Sequence, residues 1–222
     1  HAGGIVDLSV GTPVDPTPGV VQSALAAASD APGYPTAWGR PELREACVGW
    51  LARSLGASVD PTAVVPGIGT KELVASLPRM LGLAPGSRVA IPRVAYPTYA
   101  VGAILADCVP VPVDDPREVS DAALVWVNSP SNPTGAVLSA SQQADVVAWA
   151  RDRGAIVLAD ECYIELGWDQ EPVSVLHPSV CGTGHDGVLA LHSLSKRSNL
   201  AGYRFGFVAG DPTLVADLLA VR

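Results

Sequence analysis

Lysine is nearly missing from this chain. Of its 14 basic residues only Lys71 and Lys196 are lysine, and the other twelve are arginine. No basic run occurs and the formal net charge is −8, which argues against nucleic acid or an anionic membrane surface as the main partner. No apolar stretch reaches the roughly 20 residues of a membrane-spanning helix, and no signal-peptide pattern opens the chain. The four cysteines (47, 108, 162 and 181) are widely spaced and form no C-x-x-C pair. That fits free thiols in a reducing, cytoplasmic compartment better than a disulfide framework. His177, Cys181 and His185 have a ligand-like spacing, but Pro178, Gly182 and Gly184 should break any helix that would align them. A surface loop is expected there, with no metal bound. Charged residues make up only 16% against 48% hydrophobic, so the 222 residues can bury a large core and are not disordered.

What is present is a regular alternation. Strand-like runs fall at 5–10, 63–65, 88–91, 108–113, 123–127, 155–159, 187–192 and 204–210. Several are continuously apolar, as burial on both faces requires. Between them lie helical patterns. Pro41–Leu55 has proline at its first position, apolar residues at 43, 46, 47, 50, 51 and 55, and a stop at Gly56. Ser141–Arg153 is a second, closed by Gly154. The expected fold class is α/β, three layers with a mainly parallel sheet covered on both faces. No repeat or linker divides residues 1–222, so one domain is expected.

Ligands of such sheets sit at the carboxyl ends of the strands. Four sets of unusual residues fall there: Gly67 to Lys71, Asn128 with Asn132, Asp160, and Ser193 to Lys196. PGIGTKE (66–72) is either an ordinary strand-to-helix turn or a phosphate site made by free amides at a helix N-terminus. Its glycine spacing is neither that of a Walker A loop nor that of a dinucleotide fingerprint. Asp160, ending AIVLAD, either caps the next turn or is a buried charge that needs a cationic partner from elsewhere. NSPSNPTG (128–135) is either turn chemistry or a rigid loop presenting an amide. Lys196 is either a solvated surface residue or an amine kept because only an amine forms an imine with a carbonyl.

Together these strings resemble the fold-type I, pyridoxal-phosphate-dependent aminotransferases of classes I and II. NPTG, D-x-x-Y and S-x-S-K with an arginine eight residues on occur in family order as Asn132, Asp160 with Tyr163, and Ser193, Ser195, Lys196 with Arg204. DLSVGTPVDPTP, APGYPT, GTKELVA, AYPTY, DECYIELGW and HSLSKRSNLAGYR are more narrowly similar to bacterial N-succinyldiaminopimelate aminotransferases of lysine biosynthesis. The resemblance implies that Lys196 anchors pyridoxal 5'-phosphate and moves a proton, and that Asp160 faces its pyridine nitrogen. It implies that Tyr163 and Asn132 donate to its phenolic oxygen. Gly69, Thr70, Ser193 and Arg204 would hold the phosphate, Ser195 and Lys71 would stand beside it, and Tyr96 would stack on the ring. The Gly11 amide and Asn132 would meet the substrate. Tyr34 would reach the phosphate of a neighbouring subunit, which implies a homodimer. The implied reaction passes an amino group from glutamate to a 2-oxo acid such as N-succinyl-2-amino-6-oxopimelate, with Arg93 and Arg197 as candidate guides for its carboxylates.

Members of the family continue beyond the region matching 206–222 into a small C-terminal domain that carries a carboxylate-binding arginine. Residues 1–222 are therefore expected to be the cofactor-binding large domain alone. The same cofactor motifs occur in carbon–sulfur lyases, in other aminotransferases and in sensor domains of transcription regulators, and a non-catalytic cofactor-binding fragment is a further alternative.

Overall fold

The structure is a computed structural model that describes Gly11 and residues 14–222. The expected strand at 5–10 lies outside the described residues. In chain order the strands are β1 (Val64–Gly67), β2 (Arg88–Pro92), β3 (Val109–Val113), β4 (Ala122–Asn128), β5 (Ile156–Asp160), β6 (Val188–Ser193) and β7 (Gly206–Gly210). The helices are α1 (Gly19–Ala27), α2 (Pro41–Leu55), α3 (Thr70–Met80), α4 (Thr98–Leu105), α5 (Ala140–Arg151), α6 (Pro178–Cys181), α7 (Leu194–Arg197) and α8 (Pro212–Ala220).

Among the described residues seven strands form one sheet in the order β1-β7-β6-β5-β4-β2-β3. Among these strands β7 runs against its neighbours, pairing antiparallel with both β1 and β6. The remaining pairs are parallel. One face carries a core built with α2 (Cys47, Leu51) and α5 (Val146, Val147, Ala150). The other carries a core built with α3, α4 and α8, through residues such as Leu77, Tyr99 and Leu218. This is the expected three-layer α/β architecture. The continuously apolar runs are explained by it, since β6 and β7 are buried at every position.

Helix ends follow their local chemistry. α2 begins at Pro41, whose missing N–H is no loss in a first turn, and ends where Gly56 takes φ 63°. Its expected apolar face is amended at one point. Ala46 is exposed, while Arg44 is buried with its guanidinium 3.8 Å from the centroid of the Trp38 ring. A long apolar stem and a cation that stacks on an indole let arginine take that place. α5 starts one residue earlier than its pattern suggests, because Ser139 and Gln142 form a reciprocal capping box.

The expected surface loop at 177–185 is a correction. Pro178 opens the one-turn helix α6 rather than breaking it, His177 Nδ1 accepts from the Ser179 amide at 3.1 Å, and Cys181 is buried. Among the described residues no group of three potential metal ligands comes together, and no helix is long and apolar enough to cross a membrane.

Candidate active site

Register brings the strand ends level. Asn128 pairs with Asp160, and Asp160 pairs with Leu191. Gly206, at the start of the reversed strand, lies between Gly67 and Ser193. Because β7 is antiparallel, its N-terminal end meets the carboxyl ends of the other strands, and Arg204 just before it is delivered to the same edge. Arg204 itself has φ 53°, so it stands outside the strand and turns its side chain toward Gly69. Gly206 has no room for a side chain. A Cβ there would lie 2.9 Å from the His192 carbonyl oxygen and 3.1 Å from the Thr70 nitrogen.

These ends surround a cavity of about 290 Å³, near the lower bound of ordinary small-molecule sites at roughly 300 Å³. Thr70, Lys71, Tyr96, Asn132, Asp160, Tyr163, Ser193, Ser195, Lys196 and Arg204 all line it. Gly69 caps α3 with φ 97°, and a Cβ there would run into the Arg204 guanidinium. Gly11 does not line the cavity, but its carbonyl accepts from Lys196 Nζ at 3.5 Å. Tyr34 is fully exposed and does not line the cavity of its own chain.

Asp160 is the electrostatic centre. It is 6% exposed, and burial pushes its carboxyl above the usual carboxylate range. The Cys162 amide (3.2 Å to Oδ1) and the Tyr99 hydroxyl (2.8 Å to Oδ2) donate to it and partly offset that. Among the described residues no lysine or arginine pairs with it. Asn128 braces the site, donating to the Asp160 carbonyl at 2.8 Å and accepting from the Asn132 amide at 2.7 Å. Asn132 Nδ2 then donates to the Tyr163 hydroxyl at 3.3 Å. Burial raises the Tyr163 phenol as well. Ser193 caps α7, its hydroxyl accepting from the Ser195 amide at 3.0 Å.

Residues 4–222 match the sequence profile described as aminotransferase class I and II. The chain belongs to this family. It is 59% identical over its whole length to the 4-dedimethylamino-4-oxo-anhydrotetracycline transaminase of Streptomyces rimosus, and 57% identical over its whole length to a probable aminotransferase of Mycobacterium tuberculosis. It spans 62% and 54% of those two proteins. Among solved structures, a probable N-succinyldiaminopimelate aminotransferase of Thermus thermophilus matches at TM-score 0.87 and 30% identity, over 98% of this chain and 62% of that one.

Class I and II aminotransferases use pyridoxal 5'-phosphate, and the cavity suits it. A buried carboxylate without a cation fits a protonated ring nitrogen, and a cradle at Gly69 that a Cβ would fill lies against an arginine. An amine stands in the same cavity.

Two contributors carry no assignment from the sequence. Tyr99 is fully buried, and its hydroxyl reaches Asp160 from α4; its spacing of three from Tyr96 at a helix start was the available signal. Cys162 lines the cavity 2.9 Å from the Thr70 hydroxyl, and no pattern in the sequence marks that contact. Arg93 and Arg197, the candidate carboxylate guides, are engaged elsewhere. Arg93 pairs with Asp114 at 2.9 Å, and Arg197 pairs with Glu165 and lies 4.3 Å from the Trp50 ring centroid. Neither lines the cavity.

Proposed function

We propose that the protein containing this chain transfers an amino group between an amino acid and a carbonyl acceptor, and that residues 1–222 form most of its cofactor-binding large domain. The observation that carries this is a buried, cation-free Asp160 in one cavity with the amine of Lys196. Bound pyridoxal phosphate supplies an aldehyde for the amino group and a protonated ring that accepts electrons from the α-carbon.

The protein's side chains supply the rest. Asp160 keeps the proton on the ring nitrogen, and Tyr99 and the Cys162 amide hold its carboxylate in place. Asn132 and Tyr163 donate to the phenolic oxygen. The Gly69 and Thr70 amides, Ser193 and Arg204 hold the phosphate, with Ser195 and Lys71 at its margin. Charge-assisted hydrogen bonds of this kind contribute about 1.5–3 kcal/mol each. Tyr96 covers one ring face. Lys196 Nζ, in the same cavity, would be the group that takes a proton from the substrate α-carbon. The Gly11 amide and Asn132 meet the substrate carboxylate. Tyr34, exposed on its own subunit, reaches the phosphate of a second copy in a homodimer with shared sites.

Glutamate is the donor in this reading. Similarity to the Thermus protein supports N-succinyl-2-amino-6-oxopimelate as acceptor. A second acceptor, a ring ketone, is favoured by the 59% identity with the Streptomyces transaminase. The test is single-turnover reaction of the pyridoxal-phosphate-loaded intact protein with glutamate, followed by each acceptor. Conversion of the cofactor by glutamate and its restoration by one acceptor are expected. A loaded protein that glutamate leaves unchanged refutes the proposal.

A further inference from the structure

Glu161 follows Asp160 in the chain and His192 precedes Ser193, yet neither lines the cofactor cavity. Their side chains meet in the interior at 2% and 1% exposure, where His192 packs against Trp50 of α2 and Phe207 of β7. Groups so completely covered find their partners within this packing, whatever else the protein adds outside it. Glu161 Oε1 accepts from the Val175 amide at 2.6 Å. Among the described residues, Glu161 Oε2 and both ring nitrogens of His192 have no hydrogen-bond partner. Oε2 and Nε2 lie 3.5 Å apart. Buried polar atoms are seldom left unpaired, and a shift of a few tenths of an ångström would put one proton between these two.

That proton belongs on the carboxyl. Burial pushes Glu161 up to about 8, with Asp160 adding to it against the Val175 amide and Ser174. Burial pushes His192 down to about 3, with Arg197 adding to it. At neutral pH both groups are then uncharged, and a carboxylic acid donates to the lone pair of Nε2. The other titratable groups facing the pair are Cys181, also buried, and Arg197, which lies across Trp50 and is paired with Glu165. An ionised pair would bury two more charges next to Asp160 and leave Nδ1 unpaired.

The contact joins pieces that carry the site. The Glu161 amide donates to the Leu191 carbonyl at 2.9 Å, so the side-chain contact doubles a backbone link between β5 and β6. The bond from Val175 closes the base of segment 161–175, which presents Cys162 and Tyr163 to the cavity.

We propose that Glu161 and His192 are positioning residues of the cofactor site, a neutral pair sharing one proton that holds Asp160 and Ser193 in register and leaves Asp160 the anion facing the ring. The inference rests on the aminotransferase reading, and neither residue touches cofactor or substrate.

The first readout needs no cofactor. The infrared spectrum of the intact protein at pH 7 should contain a protonated-carboxyl band that disappears in Glu161→Gln; a spectrum in which Glu161→Gln removes no such band overturns the shared proton. Pyridoxal phosphate is then titrated by absorbance into wild type, Glu161→Gln, Glu161→Leu, His192→Phe and the Leu/Phe double variant, with cofactor-free melts alongside. Glutamine can still donate to Nε2 and accept from Val175, so Glu161→Gln should bind within about twofold of wild type. Glu161→Leu should raise the dissociation constant about fivefold, and the double variant should add little to that, since both changes break one contact. His192→Phe keeps a ring between Trp50 and Phe207 and supplies the test should Glu161→Leu not fold. Equal losses in Glu161→Gln and Glu161→Leu overturn the proposal, as do fully additive losses in the double variant. Variants that melt lower yet bind pyridoxal phosphate as wild type does would show the pair to be structural only. Wild-type protein that takes up no pyridoxal phosphate overturns the aminotransferase reading, while the infrared band still reports on the proton.

Discussion

Replacing Asp160 by Asn separates cofactor binding from folding. In the protein without cofactor, Asp160 is a buried carboxylate whose pKa is raised by desolvation and which holds only neutral donors, Tyr99 and the Cys162 amide. Asparagine keeps the shape and one acceptor oxygen while removing the cost of burying a charge, so the unloaded protein should melt no lower than wild type. With cofactor bound, the same change removes the partner of the protonated ring nitrogen. A hydrogen bond to a charged group contributes about 1.5–3 kcal/mol, which corresponds to roughly 10- to 150-fold in dissociation constant. The assay is titration of pyridoxal phosphate by absorbance, alongside thermal melts with and without cofactor. The expected pattern is equal or higher stability unloaded, a dissociation constant raised at least about tenfold, and a smaller thermal gain on loading. Asp160→Asn protein that binds the cofactor as tightly as wild type refutes the assignment of Asp160 to the ring nitrogen.

The opposite face of the sheet offers a pH test. Glu161 and His192 are buried, with the Glu161 carboxylate 3.5 Å from His192 Nε2, and burial pushes Glu161 up to about 8 and His192 down to about 3. A carboxyl raised on folding binds more protons in the native state, so its contribution to stability falls as pH climbs from the ordinary glutamate range toward 8. Glu161→Gln, which can keep the 2.6 Å bond from the Val175 amide, should flatten that decline in melts recorded across the interval; an unchanged slope contradicts the assignment. Gly206→Ala should destabilise by about 1–3 kcal/mol, because its Cβ would press on the His192 carbonyl and the Thr70 nitrogen, and a denaturant midpoint equal to wild type would show the close approach to be unimportant.

Much of this was legible in the chain because it is locally encoded. The proline, the helical spacing and Gly56 delimit α2, and abrupt transitions from apolar strands to Asn128, Asp160 and Ser193 mark the functional edge. The place of β7 was not legible. Its insertion between β1 and β6, antiparallel to both, depends on which strand edges remain open once the others have paired, and short-range periodicity says nothing of that. Side-chain partnership across the fold was equally hidden. Tyr99 and Asp160 are 61 residues apart, Thr70 and Cys162 are 92 apart, and the arginines expected to guide substrate found carboxylates 21 and 32 residues away. The region of His177 to Cys181 shows a local rule applied at the wrong position, since proline at a helix's first residue starts it.

The most direct test of the central claim is borohydride reduction of the intact protein after incubation with pyridoxal phosphate, followed by peptide mapping. Reduction fixes an imine as a stable secondary amine, so the two lysines of this chain can be compared. The account predicts a pyridoxyl group on the peptide containing Lys196 and none on that containing Lys71. An unmodified Lys196, or a modification confined to Lys71, would contradict it.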